Sequence, residues 1–471
     1  MAAEHIKDIY FLGIGGIGMS ALARYFHTKG YHVAGYDRTP SPLTRELESE
    51  GIKVIYVSDI HSCESLSPSD TLVVRTPAVP EDEPISVWFH EHGFRILKRA
   101  EVLGIVTQQE RALCVAGTHG KTTTSTILAH LLHESHVGTN AFLGGISNNY
   151  NSNLLIDPDS NLVVVEADEY DRSFHHLTPY MSVITSIDPD HLDIYGTPES
   201  YREGFEKYAG LVQDTIVVKA AYASAITHSN IKAQLLTYCG QWDGQGRRPD
   251  FYASDICVED GHIRFNLVCT ALGKTITDLS LGVPIWVNIE NSVAAMALAL
   301  LNGVTESEIR TALASFSGVY RRFNIHVNTP LIAYVDDYAH HPTELEASIQ
   351  SIRRLYPTRR IIGVFQPHLY TRTRDFAEGF RQALSKVDKL VLLPIYPARE
   401  LPIPGVTSEM IGGNVVQKKD LIPYLVNEIT SYGQPVAVIT LGAGDIDRLV
   451  PDIRDAFLQL NNDQRRQKHR D

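Results

Sequence analysis

The fold is decided by the stretch Ala112-Leu113-Cys114-Val115-Ala116-Gly117-Thr118-His119-Gly120-Lys121-Thr122-Thr123. Its apolar start predicts a buried strand, and the glycines that follow predict a loop that opens a helix. The N–H groups of such a loop bind phosphate, Lys121 would reach the β- and γ-phosphates, and the Thr122 hydroxyl would ligate Mg²⁺. The spacing G-x-x-G-K-T is two residues shorter than the general motif. Because strand, lysine and threonines occur together, a bound nucleoside triphosphate is favoured over an ordinary helix N-terminus.

Nearer the N-terminus, a second glycine-rich turn follows a strand. The apolar run Ile9–Leu12 leads into Gly13-Ile14-Gly15-Gly16-Ile17-Gly18, which matches G-x-G-x-x-G, and the helix Met19–His27 follows. The loop N–H groups would receive a diphosphate, and Asp37, after the strand His32–Tyr36, would bind a ribose hydroxyl. A tight turn that needs glycine for packing explains the motif equally well. The motif alone does not separate NAD from UDP.

Acidic side chains follow two apolar runs downstream of the phosphate loop. The strand Leu162–Val165 ends in Glu166-Ala167-Asp168-Glu169, which places Glu166 where a magnesium ligand is needed. The segment Asp188-Pro189-Asp190-His191-Leu192-Asp193 adds an imidazole among carboxylates, and it predicts a second metal position at His191. Alone, this histidine would be interpreted as a helix cap or an exposed side chain.

Carboxamides at Asn288 and Asn291 precede the alanine-rich helix Ser292–Leu301. A carboxamide offers both a donor and an acceptor to the edge of adenine, and N-capping of the helix is an equally good explanation.

The last third of the chain carries two polar clusters at predicted strand ends. The first is Asp336-Asp337-Tyr338-Ala339-His340-His341-Pro342, and the second is Gln366-Pro367-His368-Leu369-Tyr370-Thr371-Arg372-Thr373-Arg374. In α/β proteins ligands bind at this rim, and two guanidinium groups there suit a carboxylate or a phosphate. Paired arginines are otherwise ordinary surface charge. The helix of the second cluster is expected to begin near Thr373, with Arg372 facing the rim.

Strands that alternate with helices predict an α/β protein with three domains, at residues 1–107, 108–321 and 322–471. The first domain is expected to end with strands at Leu72–Val74 and Gly104–Val106 and a linker at Gln108–Glu110. Hydrophobic residues make up 44% of the chain and charged residues 21%, so disorder and coiled coil are excluded. A net charge of −13 argues against nucleic acid or an anionic membrane as partner.

The cysteine content and the apolar runs predict a cytoplasmic protein. The five cysteines are an odd number without a C-x-x-C pair, which fits a reducing compartment and neither a zinc site nor a redox motif. The longest apolar run, Val293–Leu301, is far shorter than the ~20 residues that a membrane span needs. We therefore expect no membrane insertion and no export signal.

These segments, in this order and with the phosphate loop in mid-chain, resemble the Mur ligases that build the peptide of bacterial peptidoglycan. The resemblance spans nearly the whole chain and is carried by Gly13–Ser20, Ala116–Thr122, Glu166–Phe174 and Asp337–Glu344, which match the alanine-adding branch. It implies a Rossmann-like UDP-binding domain, a central P-loop ATPase-type domain and a Rossmann-like C-terminal domain that binds the amino acid. The implied reaction is ATP-dependent amide synthesis, through an acyl phosphate, between UDP-N-acetylmuramate and L-alanine, by a monomer or homodimer.

The resemblance also implies roles for individual residues. The ATP-binding set would be Gly117, Thr118, His119, Gly120, Lys121, Thr122, Thr123, Asn288, Asn291, Arg322 and Asp337. Two Mg²⁺ ions would be held by Thr122, Glu166 and His191. The UDP-sugar would meet Gly15, Gly16, Gly18, Asp37, Thr76, Pro77, His119, Ser173 and His176. L-alanine would meet Tyr338, His340 and Arg372. Catalysis would depend on Lys121, Glu166, His191, His340 and Arg372.

Four positions depart from the family pattern. Val287 stands where the adenine segment often has His, Leu369 where some alanine-adding relatives have Arg, and Arg75-Thr76-Pro77-Ala78 replaces a stretch of small residues. Several other Mur ligases carry a carbamylated lysine fourteen residues after the metal histidine; here that position is Phe205, as expected for the alanine-adding branch.

Three other functions compete with this interpretation. A related recycling ligase joins UDP-N-acetylmuramate to a ready-made peptide by the same chemistry. An NAD-dependent oxidoreductase would explain Gly13–Gly18 and Asp37, but it leaves Lys121, Thr122 and Glu166 without a role. A nucleotide-switch protein explains the phosphate loop but not the two polar clusters of the last third.

Overall fold

A computed structural model describes residues 6–76, 78–226, 231–259, 262–398 and 400–468. The chain forms three sheets, each flanked by helices, and the predicted α/β architecture of three domains is confirmed. The first sheet and the strands of the second that precede residue 254 belong to one compact unit, and the third sheet belongs to another. Within the described residues, no helix is both long and apolar enough to cross a bilayer.

The first domain is a five-stranded parallel sheet in the order β3-β2-β1-β4-β5. Its elements are β1 (Asp8–Leu12), α1 (Ile17–Thr28), β2 (His32–Tyr36), α2 (Pro42–Ser49), β3 (Lys53–Ile55), β4 (Thr71–Arg75), α3 (Pro84–Glu91), β5 (Arg95–Lys98) and α4 (Arg99–Gln109). The order changes direction on either side of β1, so the loop after β1 opens at a switch point, where such folds bind ligands.

The predicted strand Gly104–Val106 is wrong, because these residues lie in α4. A three-residue apolar run is compatible with a strand or with a helix. Here packing selects the helix, because Val102 and Val106 are buried and Gly104 lies against the carbonyl of His176. The helix also continues through Gln108 and Gln109, so the predicted linker is not a loop. The boundary at residue 107 stays a prediction.

The second sheet has ten strands in the order β15-β14-β13-β12-β11-β10-β6-β9-β7-β8. Its elements are β6 (Arg111–Ala116), α5 (Lys121–His133), β7 (Asn140–Ser147), β8 (Ser152–Leu155), β9 (Leu162–Ala167), β10 (Met181–Ile184), α6 (Leu192–Tyr195), α7 (Pro198–Ala209), β11 (Thr215–Lys219), α8 (Ala223–Ile226), β12 (Gln234–Gln241), β13 (Phe251–Glu259), β14 (His262–Cys269), β15 (Lys274–Ser280), α9 (Trp286–Leu301) and α10 (Glu306–Ser315). Parallel pairing of β6 with both β9 and β10 brings the phosphate loop beside the ends of these two strands.

The third sheet has six strands in the order β16-β17-β21-β18-β19-β20. Its elements are β16 (Asn324–Asn328), β17 (Ile332–Asp337), α11 (Pro342–Leu355), β18 (Arg360–Phe365), α12 (Tyr370–Leu384), β19 (Lys389–Leu392), β20 (Asn414–Val415), α13 (Leu421–Tyr432), β21 (Val436–Leu441) and α14 (Val450–Lys468). Both polar clusters of the last third follow parallel strands, β17 and β18, which flank β21 and end at one edge of the sheet.

One hydrophobic core joins the first domain to the central one. It includes Phe11 and Val106 from the first domain, together with Val163, Ile184 and Phe205 from the central domain, all of them buried. Burial of apolar surface at this scale is the main stabilising contribution in such folds. The glycine loop after β1 and the phosphate loop after β6 therefore belong to one unit with a common hydrophobic core.

Candidate active site

The phosphate loop runs from the end of β6 to the start of α5 and depends on two glycines. Gly117 has φ +139° and Gly120 has φ +81°, values that L side chains rarely adopt. A Cβ on Gly117 would collide with the Thr185 hydroxyl, and one on Gly120 would lie 2.9 Å from Oδ1 of Asn291. Only glycine fits at these two positions, which is the reason for the G-x-x-G spacing.

The segment that follows β10 anchors the loop. The N–H of His119 donates to Oγ of Ser186 at 2.9 Å, and the Thr185 hydroxyl donates to the His119 carbonyl at 2.5 Å. The Thr118 hydroxyl donates to the carbonyl of Asp188 at 2.7 Å. Hydroxyls at the neighbouring strand end thus fix the loop, and the amino-acid sequence does not show this pairing.

The Lys121 ammonium group is held by two acceptors. Nζ donates to the Gly117 carbonyl at 2.7 Å and to Oε2 of Glu169 at 2.5 Å. Glu169 is 1% exposed, and burial raises the pKa of its carboxyl to about 7 although Lys121 opposes the shift. The sequence analysis predicted Glu166 as the magnesium ligand of this acidic run and gave no role to Glu169.

Glu169 also faces His191, since its Oε1 lies 3.8 Å from Nε2 of that histidine. His191 has φ +51° and its side chain is 32% exposed. The structure thus brings Lys121, Glu169 and His191 together beside the phosphate loop. Among the residues that the structure describes, no three His, Cys, Asp or Glu side chains are grouped as a closed metal site.

Glu166 points into a cavity of about 200 Å³. The cavity walls include Gly18, Arg99, Asn153, Glu166, Asp168 and Ser173. Gly18, the last glycine of the G-x-G-x-x-G motif, lies in the first turn of α1, and Glu166 lies one residue before the end of β9, the strand that pairs with β6. The cavity therefore lies between the glycine motif of the first domain and the acidic end of β9.

Arg99 also lines this cavity, and the sequence analysis did not predict it as a site residue. It is exposed at the start of α4, and its guanidinium occupies the place where a Cβ on Gly18 would lie. Because residue 18 is glycine, the Arg99 guanidinium can lie against the N-terminal turn of α1, directly after the G-x-G-x-x-G loop. The sequence does carry one signal for Arg99: it directly follows β5, and a cation at that edge of a parallel sheet suits an anionic ligand.

The glycine loop is fixed by Asp37. Its Oδ2 accepts the N–H of Gly15 at 2.8 Å, and its Oδ1 accepts the N–H of Thr39 at 3.1 Å. Gly16 is the N-cap of α1, and the Thr76 methyl group lies next to Gly13, which has φ +87°. Asp37 therefore shapes the loop, and its predicted contact with a ribose stays a prediction. Pro77 lies outside the described residues.

The predicted sugar-side residues Ser173 and His176 lie in a short 3₁₀ segment, Tyr170–His176. Ser173 lines the cavity, whereas His176 is exposed and its carbonyl contacts Gly104 of α4. Of these two side chains, only Ser173 lines the cavity that Gly18 and Glu166 also line.

The two asparagines lie inside α9, which begins at Trp286 rather than at Ser292 as predicted. The Asn291 carboxamide accepts a hydrogen bond from the Thr124 hydroxyl at 3.3 Å, so it contacts the phosphate-binding helix. Asn288 is buried, and its Nδ2 donates to the Val283 carbonyl at 3.3 Å. Apolar residues at the helix start conceal the boundary, because Trp286 and Val287 give no capping signal.

In the third domain, Asp337 is buried at the end of β17. It accepts the N–H of Phe323 at 3.3 Å and a hydrogen bond from the Ser348 hydroxyl, and burial raises the pKa of its carboxyl. Arg322 places its guanidinium 5.2 Å from the Tyr338 ring. Asp337 thus ties the Arg322 segment to the sheet.

Tyr338, His340 and Arg372 lie at the rim of this sheet. The rings of Tyr338 and His340 meet edge to face at 5.2 Å, and Nδ1 of His340 lies 3.1 Å from the Tyr338 carbonyl. Burial lowers the pKa of His340; Glu344 opposes the shift and the nearby Arg372 adds to it. The half-buried Arg372 and a neutral imidazole therefore share one surface.

The expected start of α12 near Thr373 is wrong, because the helix begins at Tyr370. Arg372 is thus its third residue and lies near His340 and His368; burial lowers the pKa of both imidazoles, and the Arg372 charge adds to the shift. Arg374 is exposed, and its Nε donates to Oδ1 of Asp375 at 2.7 Å. Leu369 precedes the helix at φ +69°, a conformation that tertiary contacts impose and local sequence does not reveal.

Three models of Mur ligase domains match the chain in order. The Mur ligase catalytic domain matches residues 8–111, the Mur ligase middle domain matches residues 115–299, and the glutamate ligase domain of Mur ligases matches residues 321–444.

Individual relatives match over nearly the full length. The chain is 52% identical over 460 residues to the UDP-N-acetylmuramate–L-alanine ligase of Porphyromonas gingivalis, covering 95% of this chain and 98% of that protein. The crystal structure of the UDP-N-acetylmuramate–alanine ligase of Thermotoga maritima is 26% identical with a TM-score of 0.73, covering 97% of this chain and 99% of that one. A murein peptide ligase from Psychrobacter arcticus, 20% identical with a TM-score of 0.65, covers 96% and 98% respectively and shares the fold.

Proposed function

The chain belongs to the Mur ligase family, and from that premise we propose that it joins L-alanine to the lactyl carboxylate of UDP-N-acetylmuramate at the expense of ATP. A carboxylate oxygen attacks the γ-phosphorus of ATP, the bond to the β-phosphate oxygen breaks, and an acyl phosphate and ADP form. The amine of alanine attacks the carbonyl carbon, and the C–O bond to phosphate breaks to release inorganic phosphate. Identity of 52% over nearly the full length to a relative with this activity in its name supports the choice of substrates.

One observation carries the proposal: Gly18 of the first domain's glycine motif and Glu166, at the acidic strand end beside the phosphate loop, line one cavity of about 200 Å³. A substrate whose diphosphate lies on the first loop and whose carboxylate must meet a γ-phosphate needs this arrangement. An oxidoreductase would use only the first loop, and Lys121 would then have no role.

The UDP-sugar is assigned to the first loop and the cavity. The loop at Gly15, Gly16 and Gly18 would meet the diphosphate, with the Arg99 guanidinium alongside as the counter-charge. Asp37, Thr76 and Pro77 remain assigned to the UDP side, and His119, Ser173 and His176 to the sugar. The lactyl group would extend toward Glu166.

ATP is assigned to the loop Gly117–Thr123, where phosphoryl transfer depends on positioning and on neutralising charge. Glu169 and the Gly117 carbonyl hold Lys121 at the loop, and Lys121 would exchange these acceptors for the β- and γ-phosphates. Asn288 and Asn291 are assigned to adenine, and Arg322 and Asp337 to the nucleotide from the third domain.

Magnesium fits the residues present. The buried Glu169 places a carboxyl group at the Lys121 ammonium, Glu166 lies on β9 beside β6, and Thr122 supplies a hydroxyl at the second residue of α5. Mg²⁺ prefers oxygen ligands and is commonly held by one or two carboxylates plus substrate phosphates, so a closed protein cage is not needed. When bound, the ion would neutralise charge on the transferred phosphoryl group. Thr122 and Glu166 are proposed for one ion and His191 for a second.

The amino acid is assigned to the rim formed by Tyr338, His340 and Arg372, where the guanidinium would bind the carboxylate of alanine. The Nδ1–H of His340 donates to the Tyr338 carbonyl, which leaves Nε2 as the acceptor on a neutral ring. Because burial keeps this ring neutral near pH 7, Nε2 would take a proton from the alanine ammonium before attack. Since the substrates are cytoplasmic metabolites, we infer a cytoplasmic location.

The test measures phosphate release from ATP with UDP-N-acetylmuramate and each amino acid in turn. We expect release only when ATP, Mg²⁺, UDP-N-acetylmuramate and L-alanine are all present, because the amine is required to consume the acyl phosphate. Equal turnover without an amino acid would instead favour a plain ATPase. Release that requires a peptide in place of L-alanine would favour the recycling ligase.

A further inference from the structure

We infer that Glu400, in the loop after β19, positions Arg372 for L-alanine by fixing the first turn of α12. Arg372 is the third residue of this helix, so its guanidinium lies where the first turn places it. The inference rests on the proposed function, which assigns Arg372 to the amino-acid carboxylate. It concerns a residue that does not itself touch the substrate.

The first turn of α12 lacks a cap from its own sequence. Leu369 is the N-cap residue, its apolar side chain makes no capping hydrogen bond, and its φ is +69°. The first N–H groups of a helix have no partner inside the helix and need an external acceptor. A helix that starts on leucine therefore depends on another part of the chain.

Glu400 supplies that acceptor. Its Oε2 accepts the N–H of Thr371 at 3.0 Å, and its Oε1 accepts the Thr371 hydroxyl at 2.5 Å. Burial acts to raise the pKa of Glu400, but the hydrogen bonds from Thr371 and from the N–H of Tyr370 hold it below its usual value. The carboxylate is thus ionised at neutral pH and lies at the positive end of the helix dipole.

The same loop also holds the residues before the helix. The N–H of Tyr396 donates to the Pro367 carbonyl at 2.8 Å, and the N–H of Leu369 donates to the Tyr396 carbonyl at 2.9 Å. The rings of Tyr396 and His368 stack with centroids 5.7 Å apart. One loop therefore fixes both the approach to α12 and its first turn.

The carboxylate binds the residue immediately before Arg372, so its effect on the guanidinium passes through the helix backbone. Loss of Glu400 would leave the first-turn N–H groups without an acceptor and allow the turn to fray. A frayed turn misplaces Arg372, which weakens alanine binding and leaves the ATP loop and the UDP loop intact, because both lie in the other compact unit.

The experiment compares Glu400→Ala and Glu400→Gln with a matched control, Glu409→Ala. We expect Glu400→Ala to raise KM for L-alanine about five- to tenfold, with KM for ATP and for UDP-N-acetylmuramate within about twofold of wild type. Glu400→Gln should recover most of the loss, because its Oε1 can still accept the Thr371 N–H. Glu409 lies in the short 3₁₀ helix Ser408–Ile411, its carboxyl accepts a hydrogen bond from Thr407, and its replacement should leave all three KM values unchanged.

An unchanged KM for L-alanine in Glu400→Ala would overturn the inference while leaving the proposed function intact. An equal rise in all three KM values with a lower Tm would also overturn it, since that pattern indicates general destabilisation. A wild-type chain that releases phosphate without L-alanine would overturn the proposed function, and this inference with it.

Discussion

Replacement of Lys121 by alanine is expected to lower kcat roughly 10³-fold while UDP-N-acetylmuramate still binds. The lysine is the cation that we assign to the transferred phosphoryl group. The UDP-sugar is assigned to the glycine loop after β1, which Lys121 does not contact. Steady-state phosphate release measures the first effect, and calorimetric titration with UDP-N-acetylmuramate measures the second.

Lys121→Gln is the companion variant, because it retains hydrogen-bond donors for the Gly117 carbonyl and for Glu169 but carries no charge. Its kcat should fall nearly as far as that of Lys121→Ala. Loss of UDP-N-acetylmuramate binding in both variants would show that the two loops do not divide the substrates as proposed.

Replacement of Arg372 by alanine is expected to raise KM for L-alanine about 30-fold, which corresponds to the ~2 kcal/mol of a charge-assisted Arg–carboxylate pair. KM for ATP should stay within about twofold. Leu369 cannot bind an anion, and Arg372 is the half-buried guanidinium beside Tyr338 and His340. Initial rates at varied L-alanine and varied ATP concentrations separate the two constants.

Arg374→Ala is the matched control on the same helix. Arg374 is exposed and bonded to Asp375, so its loss should change KM for L-alanine less than twofold. If Arg374→Ala shows the alanine defect and Arg372→Ala raises KM for ATP instead, the roles are reversed.

The fold could be predicted where the pattern was local. Apolar runs followed by glycine located β1, β6 and their loops, and β2 agrees residue for residue with the predicted strand. The prediction failed at Gly104–Val106 and at the starts of α9 and α12. In each case a short apolar or uncapped segment fits two structures, and packing against distant residues selects one.

In the candidate site, too, features set by neighbouring residues could be predicted and contacts between distant residues could not. The spacing of Gly117, Gly120 and Lys121 predicts a phosphate loop, because these residues are neighbours in the chain as well as in the folded site. The pairing of Lys121 with Glu169, the approach of Arg99 to Gly18 and the capping of α12 by Glu400 join residues far apart in the chain. Only the folded structure brings the members of each pair together, so the spacing of residues along the chain could not predict these contacts.

The most direct test of the proposed chemistry follows an oxygen atom. UDP-N-acetylmuramate labelled with ¹⁸O in its lactyl carboxylate is incubated with ATP, Mg²⁺ and L-alanine, and the released phosphate is analysed by mass spectrometry. Formation of an acyl phosphate, followed by attack of the amine on carbon, predicts one ¹⁸O in each phosphate released. Phosphate that carries no ¹⁸O, released at the rate of amide formation, would contradict phosphoryl transfer to the carboxylate.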